Sequence, residues 1–183
     1  MIKEGQKLPL FKLKNQNGDE IKLPTKEDTV IYFYPKADTP GCTKESCDFQ
    51  SSLRKFNNLK VKVYGISKDP VNKQSKFADK YKLKFDLLSD ENEKICEKFG
   101  TWVTKIMYGK TYKGIERSTF LISKGKVIKV WRKVKVNGHV DEVVNVDRVW
   151  RSRTCIEAGV SIVLNTASQL AQRPEVEVHC VVK

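Results

Sequence analysis

The chain of 183 residues contains no uninterrupted apolar run approaching the roughly 18 to 20 residues of a membrane-spanning helix, so no membrane partner is expected. Its amino terminus, Met1-Ile2-Lys3-Glu4-Gly5, lacks the apolar stretch and small-residue cleavage site of a secretory signal, which makes a cytoplasmic location the expectation. Histidine is scarce: His139 and His179 stand alone, and no second Cys or His pair lies at ligand spacing, so neither a metal nor another cofactor is expected. The five cysteines are odd in number and irregular in spacing, which does not make a disulfide framework. They read as thiols that are reduced at rest, and any disulfide among them as transient and catalytic.

Arginine is also rare in most of the chain. Before residue 147 only Arg54, Arg117 and Arg132 stand among 27 lysines. The net charge is +13, yet the lysines do not cluster; they alternate with acids, as in Asp19-Glu20-Ile21-Lys22 and Asp90-Glu91-Asn92-Glu93-Lys94. That is the pattern of solvated faces and not the footprint of a polyanion site, so no nucleic-acid partner is expected. With 39% apolar and 31% charged residues the composition is that of an ordinary globular protein, and the length suits one domain with an appendage.

What is present has a clear order. Residues 8 to 23 alternate apolar and polar positions around Asn15-Gln16-Asn17-Gly18-Asp19, which predicts a hairpin turned at Asn-Gly. Thr29 to Tyr34 is a β-branched and aromatic run of the buried-strand kind, stopped by Pro35. Thr39-Pro40-Gly41-Cys42 carries helix-start chemistry, with Thr39 as the candidate cap, and Phe49, Leu53 and Phe56 recur at helical spacing. A strand at Val61 to Ile66, a helix after Asp69-Pro70, a short apolar stretch from Phe85 to Leu88 and an acidic helix start at Asp90 follow. Arg117 to Ile122 and Val127 to Trp131 form a closing pair of strands. This order predicts an α/β protein: a central mixed β-sheet flanked by helices, with an N-terminal β-hairpin, which a thioredoxin-like fold fits. Architecture alone does not assign an activity.

Chemistry concentrates at Cys42. A cysteine is a nucleophile only as thiolate, and the first turn of a helix stabilises an anion through unpaired N–H groups and the positive end of its dipole. Blander readings exist for each residue. A lone helical cysteine is more often a small buried hydrophobe. Cys47 can be redox-silent, Arg117 can sit in a surface pair with Glu116, and Thr39 can serve only as a cap. Cys96, Trp102 and Trp131 read as packing residues.

The segment Tyr34-Pro35-Lys36-Ala37-Asp38-Thr39-Pro40-Gly41-Cys42-Thr43, with Cys47 five positions on, resembles the peroxiredoxins, most closely the bacterioferritin comigratory protein or peroxiredoxin Q group. Leu87-Leu88-Ser89-Asp90, Tyr108-Gly109-Lys110, Arg117 to Ile122 and Gly138-His139-Val140 extend the resemblance over about residues 2 to 146. It implies a thiol-dependent peroxidase acting on hydrogen peroxide and alkyl hydroperoxides. Carried over residue by residue, Cys42 is the peroxidatic cysteine, Cys47 the resolving cysteine, Thr39 a hydroxyl that orients the peroxide, Pro35 a shield over the pocket and Arg117 the cation beside the thiolate. A sulfenic acid on Cys42 would be resolved by Cys47 as an intramolecular disulfide and recycled by thioredoxin or a similar thiol reductant. If both cysteines lie in one regular helix, five residues give about 7.5 Å of axial rise, so the helix must open before they join. The resemblance also implies a monomer. A thiol-based redox sensor using the same Cys42 oxidation is the alternative, and only turnover separates the two.

From residue 147 the composition changes abruptly. The tail has four arginines and, of lysines, only Lys183. Residues 1–146 are therefore expected to form the peroxiredoxin domain and 147–183 an atypical extension of foreign origin, such as a frameshift or vector read-through, and not a functional domain. A short helix over 158–170 and a strand over 176–182 would make it a packed appendage instead. Cys155 and Cys180 match no catalytic position of the family.

Overall fold

Strands covered on both faces have no side left for water, and two largely apolar runs of the chain become the middle of the sheet. β3 (Asp28–Phe33) and β4 (Val61–Ser67) pair in parallel, and only Asp28 and Lys62 among their residues escape full burial. The computed structural model describes residues 1–107 and 109–157. β5 (Asp86–Ser89) continues the parallel set on β4, whereas β8 (Ser118–Ser123) runs antiparallel on the other edge of β3. With β1 (Phe11–Asn15), β2 (Glu20–Leu23) and β9 (Lys126–Trp131) they make a seven-stranded mixed sheet in the order β2-β1-β5-β4-β3-β8-β9. β1 and β2 are the expected hairpin. Gly18, at φ +89°, occupies its loop, and Asn15 Oδ1 accepts the N–H groups of Asn17 and Asp19.

Parallel neighbours require crossovers, supplied by α1 (Pro40–Ser51) and α2 (Leu53–Asn58) between β3 and β4, and by α3 (Val71–Tyr81) between β4 and β5. Successive β3 side chains point to opposite faces. Tyr32 stacks on Phe49 of α1, with ring centroids 4.5 Å apart, while Phe33 meets Phe99 at 4.9 Å, just beyond α4 (Lys94–Lys98). Helices thus flank both faces, as the alternation of strands and helices predicts. α5 (His139–Glu157) closes the chain order; the His139 ring lies edge-on to Phe49 and Trp131.

Two features differ from the sequence expectation. The helical run through Phe56 is interrupted at Ser52, which separates α1 from α2. A separate two-stranded antiparallel sheet, β6 (Trp102–Met107) and β7 (Lys110–Ile115), stands where no strand was expected. Its Lys and Thr content hides the alternation, because a two-stranded ribbon needs no continuous apolar face. The chain divides into compact units at Met1–Val143 and Val144–Lys183, and the site described below belongs to the first. The readings for 158–170, 176–182 and Cys180 fall outside the described residues.

Candidate active site

The loop that carries the chain from β3 into α1 is held at successive residues. Pro35, half-buried, has no N–H for the ladder and follows directly on Tyr34, whose N–H still bonds to the Ile66 carbonyl. Ala37 N–H donates to Asp69 Oδ2 at 2.7 Å, and the Ser67 hydroxyl donates to the same oxygen at 3.0 Å. Gln74 Nε2 then donates to Ser67 Oγ and to the Leu88 carbonyl, at 3.1 and 2.9 Å. Asp38, in the left-handed region at φ 59°, accepts Lys80 Nζ and the Tyr81 hydroxyl from α3. The loop is therefore fastened before the helix begins.

Thr39 occupies the N-cap position, yet its side chain makes no cap; the hydroxyl donates back to the Lys36 carbonyl at 3.0 Å. Thr39 was a candidate cap by type, and the loop bond takes the same hydroxyl instead. Pro40 opens the helix without an N–H to satisfy, which places Cys42 in the first turn.

Arg117 reaches Cys42 because of strand register. β8 pairs antiparallel with β3, Phe33 opposite Ser118, so the residue before β8 lies beside the loop that follows β3. Its Nη2 donates to Cys42 Sγ at 3.3 Å, and Cys42 is only 1% exposed. The other arm of the fork, Nη1, forms an ion pair with Glu45 Oε2. The alternative of a surface pair with Glu116 is thereby overturned: Arg117 is 15% exposed and turns inward. A Cβ on Gly41 would stand 3.3 Å from Nη2, closer than a comfortable contact, so glycine makes room for the guanidinium. Burial works against the Arg117 charge, but its interactions with Glu45 and Cys42 outweigh it and raise its pKa. Glu45 is fully buried, and that burial pushes its carboxyl up to about 7 although Arg117 pulls the other way.

Cys47 lies in the same helix, half-buried and out of contact with the Arg117 fork. Ideal helix geometry separates residues five apart by about 8.7 Å between Cα atoms and turns their side chains about 140° apart. A disulfide needs Cα atoms within about 7 Å, so α1 must unwind locally for the two to join. Burial and then Asp48 raise the Cys47 pKa, and burial raises that of Cys96, which packs in the core cluster with Phe99. Among the described cysteines Cys42 alone has a cation on its sulfur. Trp102 and Trp131 are half-buried, as packing residues; Trp131 Nε1 donates to Glu142 at 2.8 Å.

Sequence reasoning missed Glu45 and Asp69. Glu45 follows Cys42 by three positions, the spacing that puts two side chains on one helix face, and that spacing was a usable signal. Asp69 acts across 32 positions on Ala37, and no local pattern announces it.

The AhpC/TSA family model matches residues 4–130. A putative peroxiredoxin Bcp of Coxiella burnetii is 49% identical over 146 residues, covering 78% of this chain and 97% of that protein. Peroxiredoxin Bcp of Bacillus subtilis is 48% identical over 146 residues, covering 78% and 93%. Among solved structures, the bacterioferritin comigratory protein of Xanthomonas campestris, studied for alkyl peroxide reduction, matches with a TM-score of 0.74 at 40% identity, over 78% of this chain and 96% of that one. A peroxiredoxin Q mutant of Xylella fastidiosa matches with a TM-score of 0.79 at 34% identity, over 82% and 98%.

Proposed function

The chain belongs to the AhpC/TSA family, among the peroxiredoxins of the Bcp or peroxiredoxin Q kind, and from that premise we propose that Cys42 is its peroxidatic cysteine and Cys47 its resolving cysteine. It is a thiol-dependent peroxidase, taking peroxides as substrates and a thiol as reductant. The observation that carries the residue assignment is the Arg117 fork spanning Cys42 Sγ and Glu45.

The Cys42 thiolate attacks one peroxide oxygen; the S–O bond forms as the O–O bond breaks, and the departing oxygen leaves as an alkoxide or hydroxide that takes up a proton. Negative charge moves from sulfur to that oxygen, so donors already in place lower the barrier. Arg117 is the fixed cation for both ends of this transfer. Thr39, whose hydroxyl must turn from Lys36, orients the peroxide, and Pro35 screens the sulfur from water. The sulfenic acid on Cys42 then condenses with the Cys47 thiol, releasing water, after α1 opens. Thioredoxin or a similar dithiol reduces the exposed disulfide. Alkyl hydroperoxides join hydrogen peroxide as substrates by analogy with the Xanthomonas campestris protein.

The protein acts as a monomer in the cytoplasm; no helix among the described residues is long and apolar enough to cross a membrane. Residues 147–183 are an extension dispensable for turnover. Purified protein mixed with peroxide, thioredoxin, its reductase and NADPH should consume NADPH over many turnovers. No turnover from protein with an intact Cys42 thiol would refute the assignment, and a single stoichiometric oxidation would mark a sensor.

A further inference from the structure

The buried face of α1 is polar where the helix has to move. Its buried residues are Cys42, Glu45, Ser46 and Phe49, at the spacing of one helix face, and of these only Phe49 is large and apolar. Phe49 anchors the far end of that face. It stacks on Tyr32 with ring centroids 4.5 Å apart, and meets Phe56 at 5.9 Å and the His139 ring edge-on at 6.4 Å. The turns that must open for Cys42 to join Cys47 lie before it. Polar side-chain contacts hold them: Arg117 with Cys42 and Glu45, and the Tyr32 hydroxyl with Ser46 Oγ at 2.8 Å.

The fold makes room for the Tyr32–Ser46 bond. Both side chains are fully buried. The register partner of Tyr32 on β4 is Gly65, and a Cβ there would stand 2.7 Å from both Cζ and the hydroxyl oxygen of Tyr32, so glycine leaves the phenol its place. Ser46 precedes Cys47 directly and lies about one turn beyond Cys42. Unwinding that brings the two cysteines together therefore draws Ser46 off the phenol. The Arg117 contact loses its thiolate when Cys42 is oxidised, but a bond that involves neither sulfur is not removed by that oxidation. It persists into the state from which resolution starts.

We propose that Tyr32 is a positioning residue for the resolving step: its hydrogen bond to Ser46 is the latch that keeps the first turns of α1 closed after Cys42 is oxidised, and it must break before Cys47 can reach the sulfenic acid. The inference rests on Cys47 being the resolving cysteine. Local opening draws on segments with little buried apolar surface, which the face before Phe49 is. Breaking a buried hydrogen bond adds the desolvation of its groups until water reaches them, so this one bond sets how often the segment opens.

The test compares wild type, Tyr32→Phe, Ser46→Ala and the double variant. Each reduced protein is mixed with one equivalent of hydrogen peroxide, quenched at increasing times and weighed intact, so that the gain of oxygen and the later loss of two hydrogens are timed separately. Hydrogen exchange of α1 in the reduced proteins reads its opening without reference to Cys47. Either single variant should form sulfenic acid within about twofold of the wild-type rate, yet resolve and exchange about three- to thirtyfold faster, and yield less sulfinic acid in excess peroxide. The double variant should resolve no faster than either single one, since both remove the same bond. An unchanged resolution rate in the single variants overturns the proposal. So do effects that multiply in the double variant, or an equal change in both steps, which makes the bond a general support of the site. Ser46→Ala carries the test alone if Tyr32→Phe fails to fold. Wild type that forms no bond between Cys42 and Cys47 refutes the reading of Cys47, a failure separate from that of the latch, which unchanged exchange in the variants would show.

Discussion

Replacing Glu45 by Gln isolates the most unusual charge in the molecule. The side chain is fully buried, its Oε1 has no hydrogen-bond partner, and its carboxyl is pushed from an ordinary 4.5 to about 7 by burial. A carboxyl with a raised folded pKa makes the folded state hold more protons than the unfolded one. The stability it contributes is complete below the unfolded value and is lost as pH rises through the folded value. The gap between 4.5 and about 7 corresponds, at ~1.4 kcal/mol per pH unit, to about 3 kcal/mol lost between pH 4.5 and pH 7.5. A glutamine in its place cannot titrate, keeps an acceptor for Arg117 Nη1 and nearly keeps the volume. The assay is urea unfolding of wild type and Glu45→Gln from pH 4.5 to pH 8, with reductant throughout. The wild-type stability should fall relative to that of the variant by about 1 kcal/mol per pH unit around pH 6. Parallel curves across this range would refute the reasoning and mean that Arg117 keeps Glu45 ionised at all these pH values.

Three further substitutions probe the site. Arg117→Lys should slow the peroxide step by about tenfold or more, since a point charge cannot serve Cys42 and Glu45 with one planar fork; stopped-flow rates at equal pH measure this. Cys47→Ser should reduce its first peroxide equivalent at the wild-type rate and then accumulate sulfenic and sulfinic acid on Cys42, visible as added oxygen by intact mass; normal thioredoxin-linked cycling would remove Cys47 from its role. Asp69→Ala should cost about 1 to 3 kcal/mol by taking the acceptor from the Ala37 N–H and the Ser67 O–H, and should slow peroxide reduction because the loop into α1 loses its buried anchor. A thermal melt and a peroxide rate together check it.

The parts of the fold legible in the sequence were those with strong local signals. Val30 to Phe33 announce a buried strand by composition, Gly18 marks a turn, and Pro40 opens a helix that puts Cys42 in its first turn. The proximity of Arg117 to Cys42 came from family resemblance; physically it depends on the pairing of Phe33 with Ser118, a register that neither segment encodes alone. The β6–β7 ribbon escaped because Thr104, Lys105, Lys110 and Lys113 break its apolar pattern. Thr39 was legible as an N-cap by type, but whether its hydroxyl serves the helix or the loop is decided by the bend at Asp38.

The central claim is that oxidation at Cys42 ends in a bond to Cys47 within a helix that must open to allow it. Reduced protein treated with one equivalent of hydrogen peroxide, alkylated and digested without reductant, reports this directly by mass. The account predicts a peptide in which Cys42 and Cys47 have lost both thiol hydrogens, with Cys96 alkylated or free. A Cys42 that carries only oxygen, is joined to another cysteine, or remains a free thiol after peroxide is consumed would contradict it.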